Sequence, residues 1–132
     1  GVSLINKHAD FVRSILEGVS FSLKNCLDII EDMKVEITDV RVSGGGAESE
    51  VWRQILADIF NYKLSTIKAS EGPALGVAIL AGVGVGIYES VEEACEKIIK
   101  GQDVVNPNCD NIALYDKIYK VYNSLYPRLK DI

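Results

Sequence analysis

The residues best placed to do chemistry lie in Arg41-Val42-Ser43-Gly44-Gly45-Gly46-Ala47-Glu48-Ser49-Glu50, and that chemistry is binding by main chain. Three consecutive glycines leave their amides uncovered and permit positive φ, so a ligand can lie directly against the backbone. The turn joins a strand-like run to a helix-like one. Beyond the carboxyl end of a strand, free amides and the helix dipole meet at the place where α/β folds hold ligands. A tight turn that holds nothing is the competing reading. Two phosphate motifs fail here: a G-x-G-x-x-G read from Gly44 ends on Ser49, and no Gly-Lys-Ser/Thr closes a P-loop. Glu48 and Glu50 sit where a phosphate cluster would be repelled, so the turn suits a neutral group such as a nucleoside better.

Little else in the chain could do chemistry. His8 is the single histidine, which excludes a histidine metal cage and a Ser-His-Asp triad; it reads as a surface residue ahead of a helix. Cys26, Cys95 and Cys109 are odd in number and widely spaced, the pattern of reduced, mostly buried thiols. The pairs Glu31-Asp32 and Glu92-Glu93 fall on solvent faces and serve solubility, not acid-base catalysis. Gly82-Val83-Gly84-Val85-Gly86 follows an apolar helix rather than a strand, so helix termination and close packing explain it.

Positioning these residues requires ordered elements, and the composition supplies them. The 132 residues are 48% hydrophobic and 25% charged, ordinary for one folded domain. Asp and Glu outnumber Lys and Arg 19 to 14, for a net charge of −5. That balance argues against nucleic acid or an anionic membrane as partner, since both select clustered cations. The uncharged run Gly72 to Tyr88 is shorter than the roughly 20 residues a bilayer needs, and is read as a buried, closely packed helix. Leu4-Ile5 is followed at once by Asn6-Lys7-His8, unlike a signal peptide, and the first residue is not Met. A cytoplasmic protein is expected, of which this chain is a piece.

Apolar residues recur at helical spacing from about Asp10 to Met33: Phe11, Ile15, Val19, Ser22, Cys26, Ile30 and Met33, with Val12, Leu16, Leu23 and Leu27 beside them. Gly18 inside this helix implies a close approach by another backbone. Val35 to Val42 alternates as a strand. A helix then runs from Ser49 as N-cap to Asn61 as a left-handed stop. Leu64 to Ala69 is a second strand, Pro73 to Ala81 a helix introduced by Ser70, and Ser90 to about Lys100 a helix with Glu93 in a capping box. Gly101 to Asn111 reads as a loop. A final helix carries Ile112, Tyr115, Tyr119, Tyr122 and Tyr126 on one side, for packing rather than base stacking, and ends before Pro127. Two strands cannot form a stable sheet alone, so an incomplete α/β domain is expected, with an apolar sheet edge that drives self-association.

Three ordered blocks resemble the FGGY family of carbohydrate kinases in its C-terminal part, and together they cover nearly the whole chain. They are Gly1-Val2 with Asp10-Phe11-Val12-Arg13-Ser14-Ile15-Leu16-Glu17-Gly18; Ser43 to Ser49 with Trp52-Arg53-Gln54-Ile55-Leu56-Ala57-Asp58; and Glu71-Gly72-Pro73-Ala74-Leu75-Gly76-Val77-Ala78-Ile79-Leu80-Ala81. The run from Trp52 to Asp58 leans toward the xylulokinase branch.

The resemblance implies part of an actin-like ATPase (ribonuclease H-like) lobe, α/β in class, its sheet incomplete here. Residues 1–132 would be one partial domain, with 1–100 its α/β part and 109–132 the C-terminal helix. The parent would be an ATP-dependent sugar kinase converting D-xylulose to D-xylulose 5-phosphate. Alternatives are a kinase for gluconate, ribulose or glycerol, a non-catalytic interaction module with a structural glycine turn, and a Rossmann-type dehydrogenase fragment. By resemblance, the main chain of Gly44, Gly45, Gly46 and Ala47 would contact the ribose and α-phosphate side of ATP or ADP, flanked by Ser49 and Glu50. Glu50 stands where some relatives have Asn, a departure that bears on hydrogen bonding to the nucleoside. The family's general-base aspartate and its Mg2+ loops would lie upstream, leaving no catalytic or metal-binding residue here and an inactive fragment.

Overall fold

Leu16, Phe21 and Leu27 turn inward from the first helix, α1 (His8–Asp32). The computed structural model describes residues 2–67, 72–99 and 101–131. At the start of α1 the Asp10 carboxylate accepts the Lys7 N–H at 2.8 Å. The helix ends where Lys34 takes φ 59°, which lets the amides of Lys34 and Val35 return to the Glu31 and Ile30 carbonyls. There follow β1 (Val40–Val42), a 3-10 turn (Gly45–Glu48), α2 (Glu50–Phe60), β2 (Leu64–Ile67), α3 (Gly72–Gly84), α4 (Val91–Ile98), β3 (Gly101–Val105) and α5 (Cys109–Leu129).

The sheet order is β1-β2-β3. β1 runs parallel to β2, with Val40 opposite Leu64 and Val42 opposite Thr66. β3 returns antiparallel, with Leu64 opposite Val105 and an irregularity between Ser65 and Ile67. The Thr66 hydroxyl accepts the Asp103 N–H at 3.0 Å there. A parallel pair needs a crossover, and α2 supplies it. Packed on by α1, α5, β2 and β3, α2 buries Ile55, Leu56, Ala57, Ile59 and Phe60. Phe21 fills the space between α1 and α5, its ring 5.4–6.0 Å from those of Tyr115, Tyr119 and Tyr122. Three of the four aligned tyrosines therefore pack; Tyr126 is exposed.

Several expectations are corrected. The segment read as a loop from Gly101 contains β3, and the sheet has three strands among the described residues, not two. The first strand is Val40–Val42 alone, because pairing with β2 begins at Val40. The final helix continues through Pro127 to Leu129, since a proline so near a helix end forfeits one hydrogen bond while keeping helical φ. Nothing described lies within 4 Å of a Cβ built on Gly18, so no backbone approaches it closely. α3 is not buried: Val77 and Leu80 are exposed and Ile79 alone of its large side chains is buried. Cys26 and Cys109 are exposed, and all three thiols are free.

Other expectations hold. Gly86 at φ 77° ends the run after α3, with the Gly86 and Ile87 amides returning to Val83 and Gly82. A Cβ on Gly82 would meet the Tyr88 ring at 2.9 Å. Ser90 caps α4 by accepting the Glu93 N–H at 3.1 Å. Lys68 to Glu71, including the end of the second expected strand and Ser70, lie outside the described residues. No helix among the described residues is long and apolar enough to cross a membrane.

Candidate functional site

Two of the three glycines after β1 are bare for different structural reasons. Gly44 has φ 84° and ψ −179°, a region open essentially to glycine alone, and this conformation swings the chain out of the strand. Gly46 lies under an indole: a Cβ built there would stand 2.4 Å from Trp52 Cζ3. At Gly45 neither reason applies, for its φ is ordinary and no described atom lies within 4 Å of a built Cβ. Packing therefore leaves Gly45 unexplained, as it does Gly18, Gly76 and Gly84.

The N-cap Ser49 and two side chains of α2 hold this turn, and a third side chain anchors the helix itself. Ser49 is the N-cap, its Oγ accepting the Trp52 N–H at 3.3 Å, and the hydroxyl proton remains free to donate. Trp52 Nε1 donates to Ser20 Oγ of α1 at 3.1 Å, which holds the indole over Gly46. Arg53, 9% exposed, reaches back to the turn, Nη1 donating to the Ala47 carbonyl at 2.6 Å. Its Nη2 lies 3.8 Å from Asp103 Oδ2 of β3. Asp58, 2% exposed, ties α2 to the start of α5. It accepts from Gln54 Nε2, the Asn108 N–H and Asn111 Nδ2, each at 2.7 Å.

Gly44, Gly45, Gly46 and Ala47 thus form one contiguous turn, with Ser49 and the exposed Glu50 opening the next helix. A groove of about 370 Å³ opens beside it between Leu23 and Trp52. Gly46 and Ala47 line that groove; Gly44, Gly45, Ser49 and Glu50 do not. On the strand side, the Arg41 guanidinium hydrogen-bonds Asp39 and holds that carboxyl below its ordinary range. Glu48 is exposed like Glu50, so the turn's outer flank is anionic. Among the described residues, no three of His, Cys, Asp and Glu group closely enough to hold a metal ion.

The roles of Trp52, Arg53, Gln54 and Asp58 escaped the sequence reading of the site, though a signal was present. Arg53 stands three, four and seven residues before Leu56, Ala57 and Phe60, all buried, so helical periodicity places a cation inside. A cation there needs a partner.

A parallel strand pair with its crossover helix, a glycine turn after the first strand, and flanking helices α1 and α5 superpose on solved sugar kinases of the actin-like ATPase fold. The crystal structure of ligand-bound xylulose kinase from Lactobacillus acidophilus superposes with TM-score 0.87 at 23% identity, over 98% of this chain and 26% of that one. Plasmodium falciparum glycerol kinase with ADP gives TM-score 0.79 at 28% identity, over 97% and 26% respectively. In sequence, the xylulose kinase of Staphylococcus epidermidis is 38% identical over 132 residues. Residues 1–85 match the FGGY family of carbohydrate kinases, C-terminal domain, and the chain belongs to that family. It spans 27% of the length of the Staphylococcus relative.

Proposed function

We propose that this chain is the C-terminal portion of the nucleotide-binding lobe of a cytoplasmic, ATP-dependent sugar kinase that converts D-xylulose to D-xylulose 5-phosphate. In this reading residues 1–132 are one partial domain, with β3 carrying its α/β part to residue 105 and α5 following. The observation that carries the reading is the match of residues 1–85 to the FGGY C-terminal domain together with 38% identity to a xylulose kinase over the whole chain; the glycine turn from Gly44 to Ala47 is the place in the fold that the reading assigns to the nucleotide.

The residues present fit the nucleoside side of ATP or ADP. A bare backbone faces open space at Gly45, and the Ser49 hydroxyl keeps a donor. Exposed Glu48 and Glu50 disfavour the outer phosphates and leave Mg2+ to ligands elsewhere in the full protein. ATP when bound supplies the electrophilic γ-phosphoryl group. Gly44 to Ala47 hold and orient its nucleoside end, Trp52 and Arg53 keep the turn fixed, and no side chain here moves a proton of the sugar. Phosphoryl transfer depends mainly on positioning and charge neutralisation, so a rigid turn is a contribution of the expected kind, and the chain alone would be inactive.

Titration of ADP into the full-length protein and its Gly45→Val variant tests the nucleotide site. An interaction module with a structural turn predicts equal affinities, which would overturn the reading. The acceptor is tested by assaying D-xylulose beside glycerol, gluconate and ribulose; a kcat/KM for D-xylulose below that for any other would replace it. Apolar side chains on the outer side of α1, among them Ile15 and Met33 at 65% and 69% exposure, and the open edges of β1 and β3 lead us to propose self-association of the isolated chain.

A further inference from the structure

We propose that Arg53 is a positioning residue for the nucleotide, acting through the Ala47 carbonyl; the inference rests on the reading of the glycine turn given above. Buried arginine is rare unless paired, yet the partners of Arg53 provide only part of what its charge requires. Its one anionic neighbour among the described residues, Asp103, is 3.8 Å away with a side chain 66% exposed. Its Nε is buried with no acceptor among the described residues. The short bond goes to a neutral carbonyl, that of Ala47 at 2.6 Å. A stabilising ion pair would put the carboxylate in that place; here the guanidinium is directed at the turn.

The connection is specific. Ala47 is the residue of the turn that follows the open and packed glycines, and its N–H already closes the turn on the Gly44 carbonyl at 2.9 Å. With its carbonyl held by Arg53, both polar groups of Ala47 are fixed, and the peptide planes on either side of it with them. Trp52 clamps Gly46 from the other side. Gly45, the residue read as open to a ligand, thereby lies in a turn whose ends, Gly44 and Ala47, are hydrogen-bonded to each other. The other end of the guanidinium faces Asp103 of β3 at 3.8 Å, so the charge of Asp103 bears on the guanidinium without a hydrogen bond to it. A lysine cannot reproduce this, because one ammonium lacks the planar fork that reaches the carbonyl and the carboxylate together.

The test is steady-state kinetics of the full-length kinase, with ATP and D-xylulose varied separately, for Arg53→Lys, Arg53→Met and Asp103→Asn. Arg53→Met should raise KM for ATP about 10-fold or more, Arg53→Lys and Asp103→Asn about 3-fold, with KM for the sugar within 2-fold and kcat retained. Asp103 is exposed and removing its charge leaves no cavity, so Asp103→Asn remains informative where Arg53→Met does not fold. Asn111→Ala, which loosens α5 instead, should lower the melting temperature with no change in KM for ATP. An unchanged KM for ATP in Asp103→Asn and Arg53→Lys, or equal rises in both KM values, overturns the proposal. Gly45→Val separates the failures: weaker ADP binding there with unchanged Arg53 variants sinks this inference alone, while unchanged ADP binding in Gly45→Val sinks the nucleotide reading beneath it.

Discussion

Replacing Gly45 should separate binding from stability, because its neighbours cannot. A Cβ at Gly45 meets no described atom within 4 Å, so Gly45→Ala acts chiefly on the unfolded chain and should stabilise by about 0.4–1 kcal/mol. Gly44→Ala must instead occupy φ 84°, ψ −179°, at about 1–3 kcal/mol. Gly46→Ala drives a methyl to 2.4 Å from the Trp52 ring, which cannot swing away without breaking its bond to Ser20; overpacking of this kind costs about 1–3 kcal/mol. For the ligand the order reverses. A valine at Gly45 projects into the space where a nucleoside would touch the backbone, and hydrogen bonds tolerate only a few tenths of an ångström. Losing one or two of them, at about 1–1.5 kcal/mol each, weakens ADP roughly 10- to 100-fold. Differential scanning fluorimetry reads the first quantity and isothermal titration with ADP the second. The reasoning is refuted if Gly45→Val binds ADP as the parent does, or if Gly45→Ala melts as low as Gly44→Ala.

Asp58→Ala leaves three donors on α2 and α5 without their acceptor and should destabilise by about 2–4 kcal/mol; urea unfolding that shows less than about 1 kcal/mol would contradict the linking role. Burial works to raise Asp28, but the Lys24 ammonium and the Tyr119 hydroxyl outweigh it and leave that carboxyl below its ordinary range; the Arg41 guanidinium does the same for Asp39. Depressed carboxyls stabilise above the unfolded value near pH 4 and lose that contribution as pH falls through the lower folded values. The melting temperature should therefore fall below about pH 4, and Asp28→Asn with Asp39→Asn should flatten the fall; an unaltered slope would remove these two as its source. For self-association, light scattering on the isolated chain should give a mass above 14.5 kDa, and a clean monomer would refute it.

How much of this was legible depended on whether one element carried its own signal. α2 was readable end to end, since Ser49 caps it, Asn61 at φ 56° stops it and its apolar period lies between. β3 was not. Gly101-Gln102-Asp103-Val104-Val105 has no alternation to detect: Val104 is 58% exposed, and only Val105 packs against the core. Its existence follows from β2, whose second edge it satisfies. α1 failed in the opposite way. Its length was clear from periodicity, yet the stripe chosen, through Ile15, Val19 and Met33, is the exposed one, and the inward side carries Leu16, Ser20, Phe21 and Leu27. A helix apolar on two sides gives period without direction.

The site was legible as a location but not as a mechanism of support. Glycines announce a turn; they do not say which is conformational, which is packed and which is open, because that requires knowing that Trp52 lies over Gly46 and that Gly44 leaves the strand. Once those assignments are made, the run from Trp52 to Asp58 changes meaning. Trp52 is bonded to Ser20, Arg53 to Ala47, and Gln54 and Asp58 to the start of α5. Apart from Arg53 Nε, these polar groups are occupied within the chain, so the run that most resembles a signature acts as a frame. What the frame presents outward is the exposed pair Gly44-Gly45, neither of which has a described atom within 4 Å of a built Cβ. If phosphoryl transfer is governed by position, damage to the part of the frame that touches the turn, Trp52 and Arg53, should appear first in nucleotide affinity and only later in turnover. Loss of turnover at unchanged nucleotide affinity in an Arg53 or Trp52 variant would mean that these residues act on the reaction by another route.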